Sequence, residues 1–306
     1  MCWAAYRPRT SLRHVPRDVI AVVPTFRPGP RVPRLIEALR SATRPSIPIV
    51  ISDDASPCSF DGRLRGLSRF PGTRVIRHAR NAGIARGLNE GVAAAIDAGA
   101  TWLLTVDQDS FLEPATLGAL IERAAGGPVT DPLIGVLAPG RIEDASGTLI
   151  VPGARREDGL LAAPEIMQSG ALWSVSALTA IGGFDETMGM DGVDAAACLS
   201  LREAGYLVLA DPEASIVHEI GDPGRARTVR ILGHVSVHTA HGPARRTSMV
   251  RARLRLFGRE WRQSPTHALR TLRRVGVGAG LAVTLEPNRW AQAIATMRGV
   301  REGLRR

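Results

Sequence analysis

The stretch Trp102-Leu103-Leu104-Thr105-Val106-Asp107-Gln108-Asp109 places two carboxylates directly after an apolar run. A run of this length is typical of a buried strand. Open α/β sheets bind ligands at the carboxyl ends of their strands, and Mg²⁺ is usually held by one or two carboxylates plus substrate phosphates. Taken alone, the pattern also fits a turn in which an aspartate caps the next helix. Segments elsewhere in the chain decide between these alternatives.

Strand and helix patterns alternate ahead of this stretch. Apolar runs at Val19–Val23, Ile49–Ile51 and Thr73–Ile76 are typical of strands, and helical spacing is found at Pro33–Leu39 and Ala85–Ala98. Strands separated by helices of this length imply a parallel sheet that is covered on both faces. The first half is therefore predicted to be a doubly wound, mostly parallel α/β unit. After a further predicted strand near Leu133–Leu137 the pattern loosens, and helical periodicity returns from Asp194 and again from Ala244 onward.

Several function classes are excluded by what the sequence lacks. A dinucleotide-binding Rossmann protein needs G-x-G-x-x-G after its first strand, but this chain has Pro24-Thr25-Phe26-Arg27-Pro28-Gly29-Pro30, whose prolines remove N–H donors. The chain has no lysine, which excludes Schiff-base chemistry and a phosphate-loop lysine. It also has no G-x-S-x-G motif of a serine hydrolase.

Length and composition favour a folded cytoplasmic protein. The 306 residues are 44% hydrophobic, enough for a full core. The three cysteines are far apart, form no C-x-x-C pair and leave one unpaired in any disulfide scheme. Arginines interrupt the first 17 residues, so no export signal is expected. The longest weakly polar run, Val275–Leu285, is far short of the roughly 20 residues of a membrane-spanning helix.

Four segments, in their order along the chain, carry a resemblance to a known family. They are Val23-Pro24-Thr25-Phe26, Ser52-Asp53-Asp54-Ala55-Ser56, Asn81-Ala82-Gly83-Ile84-Ala85-Arg86-Gly87-Leu88-Asn89 and Val106-Asp107-Gln108-Asp109-Ser110. The residue types and the spacing of these motifs resemble those of family 2 glycosyltransferases of the GT-A fold. Later segments extend the resemblance to about residues 18–222: Gly182-Gly183-Phe184-Asp185-Glu186, Met190-Asp191-Gly192-Val193-Asp194 and Val217-His218-Glu219-Ile220-Gly221. Within the family, the wording is most similar to bacterial rhamnosyltransferases that use a dTDP-linked sugar.

The resemblance implies a division of the chain. Residues 18–222 form the expected GT-A catalytic domain, with a nucleotide-binding half at 18–110 and an acceptor half at 111–222. Residues 223–306 form a basic, helical C-terminal appendage.

A divalent cation, Mg²⁺ or Mn²⁺, is also implied. Asp109 is the expected first metal ligand, and His218 is expected to reach the same ion from a distant strand end. Asp107 is expected to bind ribose or a metal-bound water. A lone histidine is more often a surface or satisfied core residue, so the role of His218 rests on the resemblance.

The nucleotide is expected beside the ends of the first two strands. Thr25 and Phe26 end the first strand, and Asp53 and Asp54 end the second, so an aromatic face and a carboxylate meet one planar pyrimidine base. The alternatives are an Asx turn for the aspartates and a core position for the ring. Asn81 and Gly83 open a helix whose free N–H groups favour an anion, although Gly83 also suits a tight turn.

On the acceptor side, Asp194 is the expected general base. A carboxylate there would remove a proton from the acceptor hydroxyl, giving a single displacement with inversion. Asp191 and Asp185 compete for the role, and both also fit helix caps. Arg202 is expected to pair with these carboxylates or with phosphate, with a solvated helix arginine as the alternative. Ser169-Gly170 and Trp173 are expected to line the acceptor pocket, with core packing as the alternative for Trp173.

The tail carries the basic charge. Residues 1–244 have a net charge of −2 and residues 245–306 one of +12. An apolar stripe with helical spacing, flanked by arginines, fits either an interfacial helix on an anionic membrane or a helix packed on the catalytic domain with a solvated arginine face. Its residues are Val250, Leu254, Phe257 and Trp261. Family members usually carry an Arg-x-Tyr-Tyr motif near this position, whereas this chain has Arg245-Arg246-Thr247-Ser248. Three histidines, His234, His238 and His241, are spaced to allow a metal site on a helix face.

The predicted function is a metal-dependent inverting transfer of a sugar, L-rhamnose, from a dTDP-sugar. The expected partners are a nucleoside-diphosphate sugar and a glycan or lipid-linked acceptor of the cell envelope, with peripheral contact at the inner face of the plasma membrane and no nucleic acid. The alternative within the family is transfer of galactofuranose or another hexose from UDP. A non-catalytic nucleic-acid-binding module, motivated by the arginine-rich tail, is the alternative from another class.

Overall fold

The computed structural model describes residues 18–43, 46–125, 133–144, 147–218, 227–231, 234–238, 241–286 and 288–305. A central sheet contains the strands β1 Val19–Thr25, β2 Ile49–Asp53, β3 Thr73–Arg77, β4 Trp102–Thr105, β5 Ser110–Phe111, β6 Ile134–Asp144, β7 Gly147–Ile150, β8 Ala154–Arg155, β9 Leu161–Ala162, β10 Ala171–Ser174 and β11 Leu207–His218. A separate hairpin contains β12 Arg227–Ile231 and β13 His234–His238. The helices are α1 Val32–Ser41, α2 Asp61–Leu67, α3 Ile84–Ala98, α4 Pro114–Ala125, α5 Val175–Ala180, α6 Val193–Glu203, α7 Pro243–Gln263, α8 Pro265–Leu285 and α9 Arg289–Leu304.

The sheet is mixed, with a parallel first half. Its strand order is β3-β2-β1-β4-β10-β6-β11-β9-β8, while β5 pairs with β11 and β7 with β6. Strands β1 to β4 are mutually parallel, and β10 runs antiparallel between β4 and β6. The chain order reverses at β1, which lies between β2 and β4. Open α/β sheets bind ligands at the carboxyl ends of the strands beside such a reversal.

The predicted elements of the first half are present with small changes of boundary. Apolar residues at β1, β2 and β4 are fully buried because helices cover both faces of the sheet. Helix α3 packs closely on β1, since a Cβ at Gly91 would lie 2.5 Å from Cβ of Val22. The predicted strand at Leu133–Leu137 is longer than expected and extends to Asp144. Its partner β11 supplies the regular pairing that the local composition did not reveal.

The C-terminal helices pack on the catalytic part of the chain and on each other. The predicted stripe of α7 is not a free face: Val250 is buried, and a Cβ at Gly299 of α9 would lie 2.8 Å from its Cβ. Five arginines of α7 pair with groups of the same chain, whereas Arg262 is exposed. These pairs are Arg246 with Glu286, Arg251 with the Met188 carbonyl, Arg253 with Glu165, Arg255 with the Thr187 carbonyl and Arg259 with Glu203. The structure thus favours packing for α7, with arginines that anchor it.

One of these anchors includes a buried group of acids and a histidine. Carboxylate and ring atoms of Glu165, Glu260 and His267 lie within 4.8 Å of one another. Arg253 binds Glu165 through two contacts of 2.5 and 3.1 Å, and its Nη1 lies 3.9 Å from a Glu260 oxygen. Glu165 precedes β10, whereas Glu260 and His267 belong to α7 and α8, so the group joins the tail to the catalytic part.

Two expectations about the C-terminal region change. Residues His234–His238 form a strand, so the helix face proposed for a three-histidine metal site does not exist there. Helices α7 to α9 begin at Pro243, after the hairpin. The predicted boundary at residue 222 lies outside the described residues. Within the described part of the chain, no helix is long and apolar enough to cross a membrane.

Candidate active site

Two aspartates and a histidine meet at the carboxyl edge of the sheet. Ligand atoms of Asp107, Asp109 and His218 all lie within 4.8 Å of one another. Oδ1 of Asp109 lies 3.7 Å from Nδ1 of His218. The two aspartates follow β4, and the histidine ends β11, over 100 residues later. The fold therefore brings together the three residues that were expected to surround a metal ion.

Strand pairing positions the histidine. His218 lies opposite Ser110 in the antiparallel pairing of β5 with β11. Its Nδ1 is 2.6 Å from Oγ of Ser110, and Oγ of Ser169 donates to that same hydroxyl at 2.7 Å. Ser169 also accepts the N–H of Asp107 at 2.9 Å. The buried Ser169 hydroxyl therefore links the loop that carries Asp107 and Asp109 to the histidine, and its contact with an acceptor remains a prediction.

The electrostatics of this site favour an added positive charge. Burial and the neighbouring Asp109 raise the pKa of Asp107 to about 7, although Gln168 donates a hydrogen bond to its carboxylate. Asp109 remains 55% exposed at the opening. Among the described residues, no arginine forms an ion pair with Asp107 or Asp109. Two carboxylates and an imidazole without a built-in cation are a donor set that suits Mg²⁺ or Mn²⁺.

The end of β1 is tied to the aspartate loop. Gln108 accepts the N–H of Phe26 at 3.3 Å and donates to the Phe26 carbonyl at 3.0 Å. The Phe26 ring is exposed, so it is not the core residue that the alternative reading required. It lies at the reversal of strand order, with the Arg27 guanidinium carbon 5.0 Å from its ring centroid.

The aspartates after β2 make protein contacts. Asp53 is fully buried and accepts the N–H of Ser56 at 3.0 Å, as in an Asx turn, with Thr25 Oγ1 at 3.4 Å. Asp54 accepts the N–H groups of Ala82 at 2.7 Å and of Gly83 at 3.0 Å. The Gly83 N–H that was expected to bind an anion is therefore occupied by a carboxylate of the same chain.

This contact closes the loop that opens α3. Asn81 donates to the Asp54 carbonyl at 3.4 Å, and Gly83 has a φ of +88°, which favours glycine. His78, which the sequence did not single out, contacts Asp54 at 3.2 Å. The loop is thus held beside the nucleotide end of the sheet by Asp54, and direct contacts of Asn81, Gly83, Asp53 and Asp54 with a ligand remain predictions.

Asp194 lies in the first turn of α6. Burial raises its pKa, while Arg253 opposes the increase and Glu165 adds to it. The charge of Asp194 also contributes to the raised pKa of Asp107. One oxygen of Asp194 accepts the Ala195 N–H at 2.8 Å. A partly buried carboxylate with a raised pKa is suited to general-base work near neutral pH.

The competing aspartates have other partners. Asp185 caps a short 3₁₀ turn by accepting the Thr187 N–H at 2.9 Å, in agreement with the cap alternative. Asp191 lies 3.4 Å from Nε of Arg245, a residue of α7 whose charge also lowers the pKa of Asp107. Asp191 and Arg245 therefore form the wall of the site on the side of the tail.

Two expected site residues lie elsewhere. Arg202 lies about two turns after Asp194 on α6, which is about 12 Å along the helix axis. Its charge lowers the pKa of Glu260. Trp173 is fully buried, donates to Thr105 at 2.9 Å and packs edge-on against Phe184. Core packing thus explains Trp173, and Arg202 belongs with the buried charges beneath the tail.

Sequence reasoning missed three residues at the site. Gln168 donates a hydrogen bond to Asp107, although it lies 61 positions later in the sequence and belongs to no recognisable motif. Ser110 was quoted within the aspartate motif but received no role. Arg245 stands in the segment that departs from the family wording, and that departure was the available signal.

Comparisons with known proteins agree with this geometry. Residues 20–141 match the model of Glycosyl transferase family 2. An N-acetylglucosaminyl-diphospho-decaprenol L-rhamnosyltransferase of Mycobacterium tuberculosis is 26% identical, with 66% of this chain and 76% of that protein covered. The dTDP-rhamnosyl transferase RfbF of Shigella flexneri is 24% identical, with 76% and 78% covered.

A solved structure shares the fold. A mannosyltransferase from Pyrobaculum calidifontis, in complex with GDP-Man and Mn²⁺, superposes with a TM-score of 0.61 at 16% identity, covering 94% of this chain and 87% of that one. The predicted GT-A fold, a mostly parallel sheet with helices at the C-terminal end, is confirmed. Residues 20–141 thus match a Glycosyl transferase family 2 domain, the chain is similar to rhamnosyltransferases, and it has the GT-A fold.

Proposed function

We propose that this glycosyltransferase transfers L-rhamnose from a dTDP-sugar to a glycan or lipid-linked acceptor of the cell envelope, with inversion and with a divalent cation. The observation that carries the proposal is the convergence of Asp107, Asp109 and His218 at the carboxyl edge of the sheet, with Asp194, whose charge contributes to the raised pKa of Asp107. The names of the two rhamnosyltransferase relatives support the donor sugar. The lipid diphosphate in the name of one of them supports the acceptor class.

Asp109, His218 and Asp107 would hold Mg²⁺ or Mn²⁺. When bound, the ion supplies positive charge opposite the diphosphate of the donor and so favours its departure. The chain fixes two of the three side chains before any ligand arrives, because Ser169 and Ser110 hold the histidine and Gln168 holds Asp107. Such preorganisation avoids rearranging charged groups during the reaction.

Asp194 would act as the general base. It takes the proton of the acceptor hydroxyl, whose oxygen forms the new bond to the anomeric carbon. The bond from that carbon to the diphosphate oxygen breaks, and the nucleoside diphosphate leaves with the electron pair. Attack opposite the leaving group inverts the configuration. Burial supports this role, because it raises the pKa of Asp194 toward the range in which a carboxylate is an effective base.

The nucleotide would lie over the end of β1. The exposed Phe26 ring is placed to stack on the base, next to Thr25 and the Asp53–Asp54 turn. Asp54 would order the Asn81–Gly83 loop along the diphosphate, without giving up its own contacts to the loop N–H groups.

The test is donor turnover by the purified chain. dTDP-rhamnose and UDP-galactofuranose are each incubated with Mg²⁺ or Mn²⁺ and a glycan acceptor, and the released nucleoside diphosphate is measured. We expect release from dTDP-rhamnose only. Asp109→Ala should lose release and bind the donor weakly, whereas Asp194→Asn should lose release and still bind the donor. Asp97→Asn, an exposed change on α3, is the matched control and should keep full activity.

Other outcomes separate the alternatives. Turnover of UDP-galactofuranose but not dTDP-rhamnose would replace the proposed donor. Salt-dependent binding of a polynucleotide that survives Asp109→Ala, without turnover of any donor, would favour the nucleic-acid-binding alternative. The inward pairing of the α7 arginines weakens that alternative, because it leaves fewer free cations for phosphates.

A further inference from the structure

Helix α9 turns its small residues inward and its large apolar residues outward. Gly299 and Gly303 face α7, where a Cβ would lie 2.8 Å from the Thr247 carbonyl oxygen and from Cβ of Leu254, respectively. Ala295 is buried on the same side. On the opposite side, the exposed fraction of the residue is 78% for Trp290, 58% for Ile294, 64% for Met297 and 70% for Leu304. A helix of a globular protein normally buries its large apolar residues, so this reversed pattern calls for a partner.

The exposed residues form one continuous face. Trp290, Ile294 and Met297 follow at intervals of four and three residues, which places them on one side of the helix. Leu304 continues the same side two turns later. We call these four residues the outer face of α9. Close packing of the glycines against α7 fixes its direction, because rotating the helix would press large side chains into a contact that admits none.

Arginines lie within the outer face and along one of its edges. With about 100° of rotation per residue, Arg301 is about 20° from Trp290, inside the face, and Arg305 and Arg298 are about 60° and 80° away on that same side. All three are exposed. None forms an ion pair in the part of the chain that the structure describes. The only acid of α9, Glu302, is 3.9 Å from Arg251 of α7.

We propose that the outer face of α9 binds the surface of an anionic lipid bilayer. Exposed apolar side chains beside unpaired arginines match acyl chains beneath negative headgroups. A second copy of the chain fits less well, because a two-fold contact would place the face against itself and bring identical arginines together. The contact lies in the plane of the surface, and no described helix is able to cross a membrane. This proposal is independent of which sugar the enzyme transfers.

Vesicle binding by the full chain tests the proposal. Sedimentation with phosphatidylglycerol-containing vesicles is compared with pure phosphatidylcholine vesicles, without donor or acceptor. We expect binding to the anionic vesicles and a blue shift of tryptophan emission. The triple change Trp290→Ser, Ile294→Ser, Met297→Ser should weaken partitioning at least about tenfold. Loss of one arginine by Arg301→Gln should weaken it about fivefold, and only on the anionic vesicles.

A matched control distinguishes binding through this face from non-specific binding of exposed apolar residues to vesicles. Leu149→Ser with Ile150→Ser removes two exposed apolar side chains of β7 and should leave vesicle binding unchanged. Melting temperatures of all variants should stay near that of the parent, since every altered side chain is exposed. The proposal is overturned if the parent does not bind anionic vesicles or if the triple variant binds them equally well. A dimer seen by light scattering that the triple variant abolishes, without vesicle binding, would also overturn it and assign the face to a second copy.

Discussion

Two groups of the same composition, two carboxylates and a histidine, have opposite surroundings in this molecule. The open cluster, Asp107, Asp109 and His218, lies at the carboxyl edge of the sheet. The buried cluster, Glu165, Glu260 and His267, lies beneath the C-terminal helices. In both, the ligand atoms lie within 4.8 Å of one another. Residue type and spacing therefore do not distinguish a ligand site from a structural anchor.

The difference is the cation. In the buried cluster, Arg253 supplies a fixed positive charge, with two contacts to Glu165. Burial alone would raise the pKa of Glu165, but the guanidinium lowers it below its usual value, so the pair is charged and matched. In the open cluster the described residues supply no such arginine, and the pKa of Asp107 rises to about 7. In the buried cluster a guanidinium of the chain offsets the charge of Glu165, although one Glu260 oxygen and both ring nitrogens of His267 have no hydrogen-bond partner among the described residues. The open cluster instead has excess negative charge that a ligand would offset.

The largest expected effect concerns the open cluster. Asp109→Ala should reduce turnover by about 10³-fold or more, equivalent to about 4 kcal/mol of transition-state stabilisation. Its melting temperature should be unchanged, because Asp109 is exposed and has no arginine partner among the described residues. Steady-state kinetics and thermal melting provide the two measurements. A variant that keeps more than a tenth of the activity would exclude the open cluster as the metal site.

The next effect concerns the buried cluster. Arg253→Met should lower the free energy of unfolding by about 3–5 kcal/mol, because two buried carboxylates lose their cation. The double change Arg253→Met with Glu165→Met should cost less than this single change, since it removes the uncompensated charge as well. Urea unfolding measures both. A single variant that costs under about 1 kcal/mol would show that the pair is not the anchor inferred here.

Metal addition should distinguish the two clusters directly. At a free Mn²⁺ concentration of 100 times its Kd, a site in the folded state adds about 2.7 kcal/mol to stability. We expect this gain in the parent and in Glu260→Gln, measured by unfolding with and without the ion. Asp109→Ala should show none. The reverse pattern, with the gain lost in Glu260→Gln, would place the ion in the buried cluster.

The smallest effect is a pH dependence. Burial lowers the pKa of His267 below 6.5, so the unfolded chain takes up this proton first as the pH falls. The contribution of His267 to stability is therefore present above pH 6.5 and is lost below it, with a slope of at most about 1.4 kcal/mol per pH unit. His267→Gln should flatten this loss of stability below pH 6.5, measured as the free energy of unfolding at a series of pH values. Parallel curves for variant and parent would contradict the assignment.

Local sequence patterns predicted the parallel first half of the fold and the two aspartates of the open cluster. Alternation of apolar runs with helical spacing is a local property, and it predicted the strands and helices of the nucleotide half. The aspartates of the open cluster stand directly after a strand, so their place at the sheet edge follows from the order of elements. His218 was found through the resemblance, because no local pattern connects it with residues over 100 positions earlier.

Only the tertiary structure decided which charged groups already have partners. Asp53 and Asp54 were predicted to bind the nucleotide. In the structure their carboxylates accept N–H groups of neighbouring loops. The arginines of α7 were predicted to face solvent or a membrane. In the structure Arg246, Arg253 and Arg259 pair with acids of the same chain. The exposed apolar surface of the C-terminal region includes the outer face of α9. Side-chain type is written in the sequence, whereas the partner of a charge depends on long-range packing. That is why the sequence predicted a carboxylate site, but only the structure distinguished the open cluster from the buried one.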